Sequence, residues 1–205
     1  MPIRKRGKRR YAAVVAAAST GGIAALRQLL GSLDERFPLP VLIVQHTTPD
    51  EDDTLQHVFS VDCRLPVVMA SARQPIEGGR VYLAPPAYHL LVEEGPRVAL
   101  SVDARVCYVR PSADVLFASA SDVWGRQLIG IVLTGANEDG ANGMALLRDR
   151  GGLAIVQNPE EAEIDTMPQA TLDKGGADHV LEIAQIGALL NTLCVELIGA
   201  PVEPD

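Results

Sequence analysis

Three side chains able to pass a proton along stand directly after short apolar runs of this 205-residue chain. A hydroxyl, Ser19, follows the run at 11–17 within "VVAAASTGGIAAL". An imidazole, His46, follows "VLIVQ" at 41–45. A carboxylate, from the adjacent Glu138 and Asp139, follows "LIGIVLTG" at 128–135. Together they are the parts of a nucleophile, a base and an acid that orients the base. Local spacing leaves Ser19 three roles. It can cap the next helix, line an anion-cradling turn, or attack a carbonyl with the following N–H groups facing the oxyanion. The string A-x-S-x-G is a relaxed form of the G-x-S-x-G elbow, with Ala17 in place of the first glycine. No G-x-G-x-x-G and no Walker lysine accompanies it, which counts against a nucleotide site. Asp139 also reads as a cap for a helix through "ANGMALL".

The other histidines have weaker claims. His57 falls on the polar face of a helix pattern, His89 opens a hairpin pattern, and His179 sits beside Asp178 in the last strand pattern. Only His46 follows a buried-looking strand early in the chain.

The elements that would position these groups alternate. Strand-like runs at 11–17, 41–45, 80–84, 128–135, 153–157 and 178–182 carry no in/out alternation, as suits strands buried on both faces of a parallel sheet. Helical rhythms lie between and after them: Ile23, Leu26, Leu30 and Leu33; Leu116, Ala120, Val123 and Trp124; Ile186, Leu189, Leu190, Leu193 and Leu197. The alternation predicts an α/β fold with a doubly wound, mostly parallel, Rossmann-like sheet, whose ligands gather beyond the carboxyl ends of the strands. "HLLVEEGPRVALSV" at 89–102 breaks the series and reads as a β-hairpin.

Composition bounds the function classes. The chain is 47% hydrophobic with few aromatics, and its length suits one domain at 11–200 between a basic head at 1–10 and a short tail at 201–205. The head holds six of the 18 basic residues, leaving 12 against 26 acidic ones. So acidic a body argues against nucleic acid, and no run has the roughly 18–20 apolar residues of a membrane span. Three scattered cysteines suggest neither a disulfide framework nor a zinc site, and point to a cytoplasmic protein. The basic head before "YAAVVAAA" imitates a secretory signal, but cleavage after Ala18 would remove a central strand, so no export is expected.

Five ordered motifs, "ASTGG", "VQH", "RPSADVLF" (110–117), "LTGANEDGANGM" (133–144) and "MPQA" (167–170), resemble the CheB-type chemotaxis methylesterases over about Val14 to Leu197. The resemblance implies a catalytic domain with a β-hairpin beside its active site. It implies a Ser-His-Asp triad at Ser19, His46 and Asp139, which selects Asp139 over Glu138. The implied reaction removes methyl esters from glutamates on the cytoplasmic helices of chemoreceptors, releasing methanol, and many members also deamidate glutamines. No metal and no cofactor is implied. The N–H groups of Thr20 and Ala136 are the candidate oxyanion donors. Three features depart from the family: Ile23 replaces a usual proline, Ala136 replaces a usual methionine, and the receiver domain typical of members is not in evidence. Regulation by a separate response regulator is the matching expectation. An esterase for a non-chemotaxis signalling protein and a non-catalytic adaptor are the alternatives.

Overall fold

The computed structural model describes residues 11–46 and 52–198. The basic head and the tail at 201–205 lie outside the described residues. Among the described residues, nine strands and six helices follow in order: β1 Ala13–Ala18, α1 Gly22–Gly31, β2 Val41–Gln45, α2 Asp52–Asp62, β3 Val67–Met69, β4 Val81–Leu83, β5 His89–Glu93, β6 Arg97–Ser101, α3 Ala113–Trp124, β7 Leu128–Val132, α4 Ala141–Asp149, β8 Leu153–Gln157, α5 Thr166–Gly175, β9 His179–Leu181 and α6 Ile183–Ile198. Seven strands form one sheet in the order β3-β4-β2-β1-β7-β8-β9, with every neighbouring pair parallel. β5 and β6 form the separate antiparallel hairpin.

The central strand explains the architecture. Every residue of β1, "AVVAAA", is buried. Its side chains alternate between two cores: Val14, Ala16 and Ala18 join α1 and α6 residues such as Leu26 and Ile186. Ala13, Val15 and Ala17 face the other core with Leu116 and Phe117 of α3, Met144 of α4 and Leu90 of the hairpin. A strand with both faces covered needs apolar residues throughout, which is why in/out alternation is missing from the sequence. β1 pairs with β2 on one side and β7 on the other, so the chain reverses its direction of travel across the sheet between β1 and β7. A crevice opens at such a switch point, beyond the carboxyl ends of the strands.

The expected elements appear with shifted limits. The first strand starts at Ala13 rather than 11, and the fourth expected strand ends at Val132 rather than 135. Leu133 N still bonds to Ala17 O (2.9 Å), but the chain then turns away to build the crevice loop. β3, only three residues long and at the sheet edge, has no counterpart in the expected series. So short a run carries too little periodicity to stand out.

α3 and α4 cross closely at Gly143. A Cβ there would lie 2.8 Å from Phe117 Cβ, 2.9 Å from Asp114 Cα and 3.0 Å from Asp114 O. Two of these neighbours are backbone and cannot rotate aside. Gly143→Ala is therefore expected to destabilise the fold by about 1–3 kcal/mol, the usual cost of overpacking, read as a lowered urea midpoint at unchanged slope.

Candidate active site

β1 and β2 end side by side, and one buried amide ties their ends together. His46 N donates to Ala18 O (3.0 Å), continuing the ladder by one step. Gln45 Nε2 then donates to both Ser19 O and His46 O, each at 2.9 Å. From the other side, Ser19 N donates to Thr134 O (2.9 Å), just past β7. Ser19 is thus held between both neighbouring strand ends.

The glycine pair after it has two separate causes. Gly21 adopts φ +76°, a conformation that strains other residues. Gly22 passes so near Gln45 that a Cβ would sit 2.3 Å from Gln45 Oε1 and 2.6 Å from Ala18 Cβ. Gly21, not Ser19, is the N-cap residue of α1, and no side chain caps that helix. The cap reading of Ser19 is therefore corrected: the chain needs two further residues to turn from the strand into the helix, leaving Ser19 outside its first turn.

His46 and Asp139 meet in the crevice. His46 Nε2 donates to Asp139 Oδ2 at 2.9 Å, with the His46 side chain only 8% exposed and that of Asp139 fully buried. The opposite ring nitrogen, Nδ1, faces Asn137 Nδ2 at 3.2 Å. Asn137 Oδ1 accepts from Asp139 N (3.0 Å), so the amide's NH2 end is the one that faces the ring. The tautomer follows: Nδ1 carries the lone pair and Nε2 the proton. No hydrogen bond joins Ser19 Oγ to His46 among the described residues.

Asp139 is not the cap of its own helix, as local reading allowed. Gly140, at φ +99°, is the N-cap residue of α4. Asp139 turns instead to the start of α3, where Ala113 N (2.5 Å) and Asp114 N (3.2 Å) donate to it. The Ser112 hydroxyl adds a bond of 2.6 Å. Asp114, in the first turn of α3, returns the arrangement: it accepts from Gly140 N (3.0 Å), Gly143 N (2.7 Å) and Asn142 Nδ2 (3.2 Å) at the start of α4. Each helix has its positive end met by an acid delivered from the other. His89 braces the same region. It is buried, its Nδ1 accepts from Ser112 N (3.2 Å), and its Nε2 donates to Ala104 O (3.0 Å).

The two carboxylates respond oppositely to burial. Burial alone would push Asp139 up, but bonds from His46, Ser112 and Ala113 outweigh it and hold the group below its usual range. For Asp114, burial dominates; the bond from Gly143 opposes it, the charge of Asp139 reinforces it, and the group lies above its usual range. Cys107 is close by. Burial, then the charges of Asp139, Asp114 and Glu138, push its thiol up. Its Sγ and oxygens of Asp114 and Asp139 lie within 4.8 Å of one another, the one such grouping among the described residues. The carboxylates of that grouping already accept N–H and O–H donors, so their arrangement is that of helix-terminus acceptors.

Thr20 and Ala136 are both exposed at the crevice mouth, and neither N–H has a hydrogen-bond partner among the described residues. The Thr134 hydroxyl binds Thr20 O (2.9 Å) and accepts from Ile164 N (2.9 Å), linking the two loops. Sequence reasoning assigned no role to Ser112, Asp114, Asn137 or His89. Ser112 had a readable signal, a serine before a helical run, and it does cap α3 by accepting from Val115 N.

Asp139 and Asp114 give opposite pH slopes. A lowered carboxyl stabilises the fold above its unfolded value of about 3.9, and that contribution disappears as pH falls through the folded value. A raised carboxyl does the reverse: the fold gains stability as pH falls through the raised value. Urea unfolding from pH 7 down to about pH 2.5 is expected to show the deficit of Asp139→Asn constant down to about pH 4 and shrinking below it. The stability of wild type relative to Asp114→Asn is expected to rise as pH falls from about 7 to about 4. At pH 7 the Asp139→Asn deficit is expected to be about 1–3 kcal/mol, the scale of unsatisfied buried donors.

Comparison with known proteins agrees with this architecture. The family model described as CheB methylesterase matches residues 14–190. A relative from Leptospira interrogans is 41% identical over 87% of this chain and 93% of its own. Protein-glutamate methylesterase/protein-glutamine glutaminase 2 of Caulobacter vibrioides is 39% identical over 85% of this chain, which spans only 52% of that longer protein. The crystal structure of the Thermotoga maritima CheB methylesterase catalytic domain superposes with a TM-score of 0.85 at 29% identity, covering 89% of this chain and 98% of that one. No helix among the described residues is long and apolar enough to cross a membrane. By sequence and by fold, the chain belongs to the CheB methylesterase family.

Proposed function

We propose that the chain is a serine hydrolase that removes methyl esters from protein glutamates, with Ser19 as nucleophile, His46 as base and Asp139 as the acid that orients the base. The observation that carries this reading is the buried His46 Nε2–Asp139 Oδ2 contact of 2.9 Å at the strand end beside Ser19. A charged acid held by two backbone N–H groups and a hydroxyl is poised to stabilise an imidazolium without taking its proton. Ser19 Oγ attacks the ester carbonyl as its proton passes to His46 Nδ1, the nitrogen turned away from Asp139. Methoxide leaves with that proton as methanol. Water then attacks the glutamyl-enzyme, giving its proton to Nδ1, and Nδ1 returns that proton to the departing Ser19 Oγ as the ester bond breaks and glutamate is released. Thr20 N–H and Ala136 N–H are the donors for the oxyanion.

A glutamine side chain presents the same carbonyl with ammonia as leaving group, so the site also suits deamidation, the second activity in the name of the Caulobacter relative. Substrates are glutamates on the cytoplasmic helices of methyl-accepting chemoreceptors, which places the protein in the cytoplasm, and a separate response regulator supplies control.

Methanol release from methyl-esterified receptor fragments and covalent capture by a fluorophosphonate test the reading. Ser19→Ala is expected to abolish both, and Asp139→Asn to lower turnover by about 10³–10⁴-fold, as loss of the orienting acid does elsewhere. Full activity in Ser19→Ala would reject the mechanism. Hydrolysis of generic esters with none of receptor fragments would reject the substrate.

A further inference from the structure

The pose of His46 differs from that of a base ready to act. An unprotonated imidazole nitrogen has one lone pair in the ring plane and takes one donor. Here that donor is Asn137 Nδ2, at 3.2 Å from Nδ1, and Ser19 Oγ makes no bond to the ring. The tautomer does not require Asn137, because Asp139 already fixes it through Nε2. Nor does the loop require this end of the amide: the turn into α4 uses Asn137 Oδ1, which accepts from Asp139 N. The Nδ2 contact therefore serves the ring nitrogen alone. Asn137 is half-buried and directly follows exposed Ala136, whose N–H is the candidate oxyanion donor.

We propose that Asn137 is a positioning residue that competes with Ser19 for His46 Nδ1, keeping the base in a resting pose until substrate displaces the amide. The inference rests on the nucleophile reading above and adds a regulatory contact within the same site. Ser19 gains its partner when Asn137 Nδ2 moves off the ring, and the reaction then runs without further change in His46.

Asn137→Ser separates the two ends of the side chain. Its hydroxyl oxygen can still accept from Asp139 N but is too short to reach the imidazole. Capture of Ser19 by a small fluorophosphonate, too small to displace the amide, is expected to be about two- to tenfold faster in this variant, the factor set by one neutral hydrogen bond. The ¹⁵N resonance of His46 Nδ1 is expected to move. Asn137→Ala, which removes both ends, is expected to show the same acceleration and guards against poor folding of the first variant. Capture at the wild-type rate or slower in a folded variant would overturn the proposal, as would an unmoved Nδ1 resonance. Ser19→Ala distinguishes the two levels. If that variant is captured as fast as wild type, the nucleophile reading fails, and the nitrogen resonance alone then decides whether Asn137 holds the ring.

Discussion

Two buried carboxylates exchanged between two helix starts hold this site together. Asp139 enters from the loop before α4 and accepts from the first N–H groups of α3, and Asp114 leaves the first turn of α3 and accepts from those of α4. Neither charge could stay buried without such donors, and neither helix start would be satisfied without the acid. The exchange fixes the loop from Thr134 to Gly140 against α3. It therefore also fixes the oxygen that His46 meets. Gly143 belongs to the same constraint, since any side chain there would push the helices apart and break the bond to Asp114.

The strand ends obey a second constraint, that of space. Ser19 is pinned by Thr134 O on one side and Gln45 Nε2 on the other, and the backbone after it must run close beneath Gln45. A Cβ at Gly135 would lie 2.1 Å from Met167 Sδ and 2.8 Å from Ser19 Cβ. Small residues on both flanks of the crevice are thus a steric requirement of bringing β1, β2 and β7 to one point.

Much of this was legible in the residues. Buried strands in a doubly wound order, the hairpin, and the three strand ends bearing a hydroxyl, an imidazole and an acid all follow from short-range pattern. The choice between Glu138 and Asp139 does not, because both stand at the same loop and differ only in direction: Glu138 is exposed, whereas Asp139 points into the protein. Only family likeness separated them beforehand. The helix-start exchange was illegible for a different reason. Its partners lie more than twenty residues apart, and Asp114 on its own looks like an ordinary acid in the first turn of a helix. Asn137 was hidden among small polar loop residues, where only the ring it touches gives it meaning.

The reciprocal placement of Asp114 and Asp139 also bears on how the protein breathes. A helix end capped from within its own chain neighbourhood can fray by itself, at little cost to the rest. Here the amides of Ala113, Asp114, Gly140 and Gly143 each depend on an acid from the other helix start, Asp139 from the loop leading into α4 or Asp114 from the first turn of α3. Opening either end strips the other of its acceptor, so both ends open as one cooperative unit. The orienting acid of the site is then as persistent as that unit, and its local opening free energy becomes a property of two helices rather than of one loop.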